Sequence, residues 1–352
     1  MNLGWSSLLL LMVFLCSVGG VAAVRKYALR RLLDLPNERN SHTGATPRGG
    51  GLGLAVSHLF GMTAASLIGA VPWDIAIALI GGGALVAGIG FLDDHVHVPP
   101  LLRLLCHFCA FGWAVAWLGG LPPVDLGWGA LDLGWIGTCL MVVLLTWFLN
   151  LFNFMDGIDG VAGAQTVTMA ATSSALLTLL TDTVENPLPG LILVAASMGF
   201  LAWNWPPAKI FMGDVGSGYV GYVLGVLALS TIASGFLSPW VWLILGGCFI
   251  ADATVTLFVR WKGRASLTQA HRSHAYQRLS RHWGAHRSVT LLVVAVNVFW
   301  LCPWAIAATR WPALGFTCSV CALLPVIVAV VKLGAGRSGE IADSRSRRYP
   351  AS

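Results

Sequence analysis

The chain has 352 residues, of which 57% are hydrophobic and only 10% carry a formal charge. Soluble globular domains are roughly half apolar and about a quarter charged, so this composition excludes an ordinary soluble domain. The formal net charge of +6 would by itself suit a nucleic acid or an anionic membrane surface.

Apolar runs long enough to cross a bilayer as helices, about 17 to 25 residues each, recur along the whole chain. Eleven candidate spans are predicted at approximately 3–24, 50–70, 74–92, 101–120, 134–152, 162–181, 188–204, 216–236, 238–258, 288–307 and 313–333. Since no polar linker divides them, residues 1–333 are predicted to form one all-α polytopic bundle of about 10–11 transmembrane helices. A basic cytoplasmic tail, 334–352, is predicted to be disordered.

The basic residues predict the orientation, because Lys and Arg concentrate in cytoplasmic loops. With the amino terminus outside, the basic residues within 25–48, 260–287 and 332–348 all face the cytoplasm, and Arg310 lies outside. The first span has no basic segment before it, which predicts a retained helix and not a cleaved signal peptide. This juxtamembrane distribution favours membrane lipids and phosphorylated substrates over nucleic acid.

The first polar motif is Asn150-Leu-Phe-Asn153-Phe-Met-Asp156-Gly-Ile-Asp159-Gly160, at the inner end of the fifth span. Its four polar side chains recur every three residues, and its glycines let the backbone approach a ligand closely. Such a run is costly in lipid unless it faces a polar cavity, although a solvated loop would look similar.

A second motif, Phe211-Met-Gly-Asp214-Val-Gly-Ser217, sets one carboxylate among glycines where a helix is predicted to begin. This arrangement suits a hard cation that bridges to phosphate oxygens. A plain glycine-rich turn is the alternative.

The pair Asp93-Asp94 ends the third span and is followed by Arg103 and His107. Adjacent carboxylates repel one another unless a cation or a proton offsets their charge. A divalent metal is therefore predicted, and Mg²⁺ or Mn²⁺ is favoured over zinc because the candidate ligands are oxygen atoms. Acids at a helix C-terminus also oppose the helix dipole, which argues against a merely solvated helix end.

The loop from Ala270 to Arg278 is dense in histidine and arginine, with His271, Arg272 and His274 close together. Arginine binds phosphate through paired hydrogen bonds, and histidine supplies a donor near neutral pH. A basic patch at the membrane surface would look similar, and Arg281, His282, His286 and Arg287 are assigned to such a patch.

Together these motifs resemble the polyprenyl-phosphate N-acetylhexosamine-1-phosphate transferases, glycosyltransferases of family 4 that load the first sugar phosphate onto a lipid carrier. The resemblance covers most of the chain through Pro36-Asn37-Glu38-Arg39, Pro47-Arg48-Gly-Gly-Gly51, Asp93-Asp94, Asn153 to Gly160, Phe211 to Ser217 and the His271 loop. Their joint presence and order are specific, although each motif alone is not. The resemblance implies a membrane bundle with a cytoplasmic active site.

The resemblance also implies a role for each matching residue. Asp93 corresponds to the base that deprotonates the lipid phosphate, and Asp94 and Asp156 correspond to supporting catalytic carboxylates. Asp214 corresponds to the Mg²⁺ ligand, with Asp94 as a second ligand and Mn²⁺ as an alternative ion. The implied substrate-binding residues are Arg48, Asn153, Asp159, Asn204, Phe211, His271, Arg272 and His274. Among them, Phe211 is expected to stack on uracil.

One segment departs from the pattern of relatives that use N-acetylglucosamine. Their His-x-His-His is replaced here by His274-Ala275-Tyr276-Gln277. The Arg-Ser-His-Ala-Tyr form resembles the branch that initiates O-antigen synthesis, whose members use several N-acetylated hexosamines. Ser273, Ala275 and Tyr276 are therefore predicted to influence which sugar is accepted.

Two other protein classes share part of this pattern. CDP-alcohol phosphotransferases use Asp-x-x-Asp-Gly, as in Asp156-Gly-Ile-Asp159-Gly160, but Gly163 stands where that class has arginine. A transporter or flippase for lipid-linked sugars would place its polar residues near mid-membrane.

The resemblance thus implies an enzyme of the bacterial inner membrane. The implied reaction moves an N-acetylhexosamine-1-phosphate from a UDP-sugar to undecaprenyl phosphate, releases UMP, and initiates O-antigen or a related cell-surface glycan. A homodimer is left open.

Overall fold

The computed structural model describes residues 3–34, 45–126, 129–181, 186–264 and 271–337. Within these ranges the helices are α1 (Leu3–Arg31), α2 (Gly51–Leu67), α3 (Trp73–His95), α4 (Pro100–Leu118), α5 (Gly134–Phe154), α6 (Val161–Leu180), α7 (Leu188–Asn204), α8 (Asp214–Ala233), α9 (Pro239–Leu245), α10 (Gly247–Lys262), α11 (Ala275–Trp283), α12 (His286–Val296), α13 (Cys302–Arg310) and α14 (Gly315–Lys332). Two short antiparallel hairpins pair β1 (Leu33–Asp34) with β2 (Thr46–Pro47), and β3 (Val124–Asp125) with β4 (Ala130–Leu131). The Pro36–Arg39 motif and the predicted tail from residue 338 onward lie outside the described residues.

Each of the predicted apolar runs forms a helix or a broken helix. The ninth run divides into α9 and α10, which are bent by 78°, and the tenth contains a π-helical turn at Asn297–Leu301 between α12 and α13. Among the described residues, seven helices are long and apolar enough to cross a membrane, or eight if the bent pair is one span. The all-α polytopic fold is therefore confirmed.

The sequence predicted about 10–11 spans, which is more than the seven or eight found among the described residues by length and composition. Helices α2 and α7 have 17 residues each and are counted as shorter apolar helices. Helix α6 has 20 residues but includes Gln165 and several Ser and Thr residues, which lower its hydropathy. Several of its polar side chains point into the bundle, where Gln165, Thr166, Ser173 and Ser174 are buried.

Helix α8 is the centre of the bundle, and Tyr219 and Tyr222 on it are fully buried. Glycines let neighbouring helices approach its backbone directly. A β-carbon at Gly90 of α3 would lie 2.5 Å from the carbonyl oxygen of Asp214. Backbone contact at this point fixes the end of α3 against the start of α8, so the carboxylates carried there must lie close together.

The outer helices expose large apolar side chains, as expected for surfaces in contact with lipid. Trp135 of α5 is 76% exposed and Phe299, in the π-helical turn, is 80% exposed. Soluble monomers rarely present such continuous apolar surfaces to water. The exposed faces therefore agree with a multi-pass membrane protein.

Candidate active site

A carboxylate cluster lies where α3 ends and where α4 and α8 begin. The carboxyl groups of Asp93 and Asp214 are within hydrogen-bonding range of one another. Arg103 forms an ion pair with Asp93, and its Nη1 lies 3.6 Å from Asp214 Oδ2. Asn153, near the end of α5, donates from Nδ2 to Asp214 Oδ1 at 2.9 Å. Four helix ends therefore converge on one polar point.

Asp94 holds the first turn of α8 in place. Its Oδ1 accepts a hydrogen bond from the backbone N–H of Asp214 and its Oδ2 accepts one from Val215, each at 3.1 Å. Gly213 has φ +75°, and a β-carbon there would lie 2.6 Å from Asp94 Oδ2, so glycine is needed for this approach. Arg48 donates from Nη2 to the Asp94 carbonyl at 2.7 Å. Asp94 thus positions Asp214, and its predicted role as a metal ligand stays a prediction.

A pocket of about 220 Å³ opens beside this cluster. Arg103, Asn153 and Asp214 line its polar side. Leu104 and Phe154 also line it and are 38% and 47% exposed on the outer surface of the bundle. The pocket therefore runs from charged groups to an apolar surface, which suits an amphipathic ligand with an anionic head.

Asp156 lies in the turn between α5 and α6. Burial, together with the negative charges of Asp214, Asp94 and Asp159, raises the pKa of Asp156 to about 7. Carboxylates whose pKa is raised towards neutrality are frequent at functional sites. Asp156 can therefore change its protonation state near neutral pH.

Asp159 and Asn204, two of the residues predicted to bind substrate, brace a loop. Asp159 Oδ2 accepts from the backbone N–H of Ala208 at 3.0 Å. The Asn204 side chain accepts from Gly160 N and donates to the Ile210 carbonyl, both at 2.9 Å. Since Asn204 is only 3% exposed, we expect it to support a nucleotide pocket and not to form its surface.

Phe211 joins this loop to the glycine-rich segment after β2. Its backbone N–H donates to the Pro47 carbonyl at 2.8 Å, and its carbonyl accepts from Gly50 N at 2.9 Å. The Pro47–Gly51 and Phe211–Ser217 motifs, distant in sequence, are therefore parts of one structure. The predicted stacking of Phe211 on uracil stays a prediction.

His286 corrects the assignment of this residue to a membrane-surface patch. Its Nδ1 lies 3.3 Å from Asp159 Oδ1, and only 17% of its side chain is exposed. The surface assignment is wrong because α12 begins directly against the Asp159 loop. No local pattern in the sequence indicates this contact, which spans 127 residues.

The histidine loop lies before α11. The rings of His271 and His274 stack with centroids 5.0 Å apart, and Ser273 Oγ lies 3.0 Å from His271 Nδ1. Burial, followed by the neighbouring His274 and Arg260, lowers the pKa of His271 to about 4. His271 is therefore neutral at pH 7 and can bind an anion only through a hydrogen bond.

Asp252 of α10 anchors this loop and was missed by the sequence analysis. It accepts hydrogen bonds from the backbone N–H groups of Ala275 and Tyr276, both at 2.9 Å, and its Oδ1 lies 3.3 Å from His274 Nδ1. A lone acid inside an apolar span is a signal that could have revealed it. His274, only 2% exposed, therefore faces Asp252.

Helix α11 meets the turn that carries Asp156. Tyr276 donates from its hydroxyl to the Phe154 carbonyl at 3.3 Å. A β-carbon at Gly157 would lie 2.2 Å from the Tyr276 hydroxyl oxygen and 2.6 Å from Gln277 Nε2. The histidine loop and the Asn153–Gly160 motif are thus packed together. Ala275 is 2% exposed, so an effect of this residue on sugar choice would be indirect.

Comparisons with known proteins agree with this arrangement. A family model described as glycosyl transferase family 4 matches residues 76–232. The decaprenyl-phosphate N-acetylglucosaminephosphotransferase of Mycolicibacterium smegmatis is 31% identical over 304 residues, which cover 77% of this chain and 74% of that protein. The chain belongs to glycosyl transferase family 4.

Two other members of the family match over similar lengths. A protein named probable undecaprenyl-phosphate N-acetylglucosaminyl 1-phosphate transferase, from Bacillus subtilis, is 27% identical over 75% of this chain and 74% of its own. The phospho-N-acetylmuramoyl-pentapeptide-transferase of Gluconobacter oxydans is 29% identical over 78% of this chain and 83% of its own. The predicted resemblance to polyprenyl-phosphate hexosamine-1-phosphate transferases is confirmed.

These relatives favour neither a CDP-alcohol phosphotransferase nor a transporter, the two other protein classes that share part of the sequence pattern. The family-model match includes the carboxylate cluster and the Asn153–Gly160 motif. It excludes Arg48 and the His271 loop, which lie before and after the matched residues. In this member of the family, those two segments reach the shared core through Asp94 and Tyr276.

Proposed function

We propose that the protein transfers an N-acetylhexosamine-1-phosphate from a UDP-sugar to a polyprenyl phosphate such as undecaprenyl phosphate, releasing UMP. The observation that carries this proposal is the pocket beside Asp214, which joins the Arg103–carboxylate cluster to an apolar surface. A lipid phosphate has the matching shape and charge. The relatives' names, which specify decaprenyl or undecaprenyl phosphate, support the same acceptor.

In the proposed reaction, an oxygen of the lipid phosphate attacks the β-phosphorus of the UDP-sugar. A new P–O bond forms, the bond from the β-phosphorus to the bridging oxygen breaks, and UMP leaves with the electron pair. Asp93 would accept the proton of a monoprotonated lipid phosphate, and Arg103 would hold that phosphate. We propose direct transfer, since it needs one displacement at phosphorus and no covalent enzyme intermediate.

The donor set suits Mg²⁺, with Mn²⁺ as an alternative. No three His, Cys, Asp or Glu side chains form a metal site among the described residues. Mg²⁺, however, commonly uses one or two carboxylates and takes its other ligands from phosphates and water. Asp214 offers such a carboxylate, and the ion would offset the charge of the diphosphate.

The UDP-sugar would lie between the Asn153–Gly160 motif and the His271 loop, which pack together through α11. Phe211 and Asp159 border the proposed uridine site, which Asn204 and His286 brace. Arg272 and neutral His271 would bind the diphosphate or the sugar, and His274 would hold His271 in place through their stacked rings. This division keeps Asp159, Phe211, His271 and Arg272 as donor-binding residues and gives Asn204 and His274 positioning roles. Arg48 and Asn153 instead contact Asp94 and Asp214 of the carboxylate cluster.

The test is UMP release by purified protein supplied with undecaprenyl phosphate and a panel of UDP-N-acetylhexosamines, including N-acetylglucosamine and its 6-deoxy analogues. We expect release to require both the lipid and a divalent cation. Release with one sugar would also identify the substrate and show whether the O-antigen branch is the right one. No lipid-dependent release with any of the sugars would contradict the proposal.

The raised pKa of Asp156 predicts a pH dependence. Because the acid is neutral below its pKa, activity that needs the carboxylate should fall as pH decreases through about 7. A bound cation favours the ionised form, so raising Mg²⁺ should move this limb to lower pH. The measurement is kcat/KM for the UDP-sugar between pH 5 and 9. Asp156→Asn should lose the limb, and a limb that persists in this variant would exclude Asp156 as its source.

We also propose that the site faces the cytoplasm of a bacterial inner membrane, because the basic loops lie at its end of the bundle. In a variant without native cysteines, Ala130→Cys should react with an impermeant maleimide in intact cells. His282→Cys, also exposed, should react only after the membrane is opened. The opposite labelling pattern would place the site outside.

A further inference from the structure

We infer that the segment Leu333–Arg337, which follows the last helix, is a positioning element for the loop His271–Arg278. The inference deepens the proposed function, because this loop holds residues assigned there to the donor. The first contact is a hydrogen bond from the Gly336 backbone N–H to the Ser273 carbonyl at 2.8 Å. Ser273 sits between Arg272 and His274, so the bond acts in the middle of the loop.

Arg278 ties the same two segments together at a second point. Its guanidinium donates from Nε to the Leu333 carbonyl and from Nη1 to the Arg337 carbonyl, both at 2.9 Å. The residue is only 6% exposed. A buried guanidinium is stable only when its donors are satisfied, so these carbonyls are part of what holds α11 in position.

Small apolar residues close the contact between these bonds. Ala335 packs with Ala275 and Val330 in a separate buried cluster, and Ala335 and Ala275 are each 2% exposed. Gly336 has φ +77°, and a β-carbon on it would lie 2.7 Å from Val259 Cβ. The segment is thus enclosed between α10 and α11, with no room for a larger residue at its centre.

The loop is consequently held from two sides. Asp252 binds the start of α11 from α10, while Leu333–Arg337, the segment after α14, binds Ser273 and Arg278. Removing the contacts of Leu333–Arg337 would leave Asp93 and Asp214 in place but release the loop that holds the proposed donor residues. The KM for the UDP-sugar should therefore rise more than kcat falls.

Two truncations of the full chain separate these contacts from the residues beyond them. A chain ending at Gly339 keeps all the contacts of Leu333–Arg337, including the peptide carbonyl of Arg337, whereas a chain ending at Lys332 loses them all. We expect the chain ending at Gly339 to match the full-length protein. The shorter chain should show a KM for the UDP-sugar raised about tenfold or more, with KM for polyprenyl phosphate unchanged. Equal donor KM values for both truncations would overturn the inference.

A glycine pair keeps the test decisive if the shorter chain does not fold. Gly336→Ala introduces a clash at a positive φ. Its control is Gly235→Ala, which also places alanine at a positive φ (+72°) but has no atom within 4 Å of the added β-carbon. Only Gly336→Ala should speed amide hydrogen exchange in residues 271–283. Identical exchange in the two variants would also overturn the inference.

The two hypotheses fail separately. An inactive full-length protein with faster exchange in Gly336→Ala would contradict the proposed function and support the positioning. An active protein in which changes to Leu333–Arg337 alter neither the exchange of the loop nor the KM for the UDP-sugar would support the proposed function and contradict the positioning.

Discussion

Asp214→Asn is expected to abolish turnover while the protein remains folded. The substitution removes the negative charge of Asp214, which attracts Arg103 and the proposed cation. It nearly preserves the shape of the side chain. The asparagine can still pair with Asn153, whose Nδ2 donates to Oδ1 at 2.9 Å. Loss of a single preorganised electrostatic contact costs about 10²–10³ in kcat, and loss of a charged ligand should cost at least as much. Steady-state UMP release at saturating Mg²⁺ is the measurement.

Asp74→Asn is the matched control. Asp74 and Asp214 each lie in the first turn of an apolar helix and are the acidic residues of those turns. Asp74, however, is exposed and lies at the far end of α3 from Asp93 and Asp94, about 30 Å away. It should retain full activity. Near-normal turnover by Asp214→Asn would remove Asp214 from the centre of the site.

Gly90→Ala should cause the second largest loss, by a purely steric route. Its β-carbon would lie 2.5 Å from the Asp214 carbonyl oxygen and 2.7 Å from Val215 Cα. These are backbone atoms, so α3 and α8 must move apart. We expect kcat to fall at least about tenfold and stability to drop by about 1–3 kcal/mol, as for other overpacked cores. Activity assays and thermal unfolding in detergent would measure the two effects.

Gly88→Ala controls for the change of residue type in the same helix. A β-carbon at Gly88 has no neighbour within 4 Å, so this variant should keep both activity and stability, or gain slightly in helix propensity. Equal behaviour of the two variants would show that the approach of α3 to α8 does not position Asp214.

The sequence predicted the helices and the grouping of motifs for clear physical reasons. Long apolar runs in lipid must form helices, because their backbone hydrogen bonds have to be satisfied within the chain. Polar side chains such as Asp93, Asn153 and Asp214 at the helix ends avoid lipid by gathering at one end of the bundle. The bend between α9 and α10 was not predicted, because the two helices together still form one apolar run long enough to cross a membrane. Hydropathy does not report a change of direction.

The roles within the site were less accessible to sequence. Asp94 and Asp214 are the same chemical group, and only the helix geometry shows that Asp94 accepts two backbone N–H groups while Asp214 faces the pocket. His286 and Asp252 act through contacts between segments distant in the chain. The rotation of each helix decides such contacts, and that rotation depends on packing at positions such as Gly90.

The central claim is that a sugar phosphate, and not a sugar alone, moves to the lipid. A UDP-N-acetylhexosamine accepted by the protein, labelled with ³²P at the β-phosphate, tests this directly with undecaprenyl phosphate as acceptor. We predict that the label enters the organic-extractable lipid and that one UMP appears for each labelled lipid formed. Release of labelled UDP, with an unlabelled glycolipid, would contradict the account.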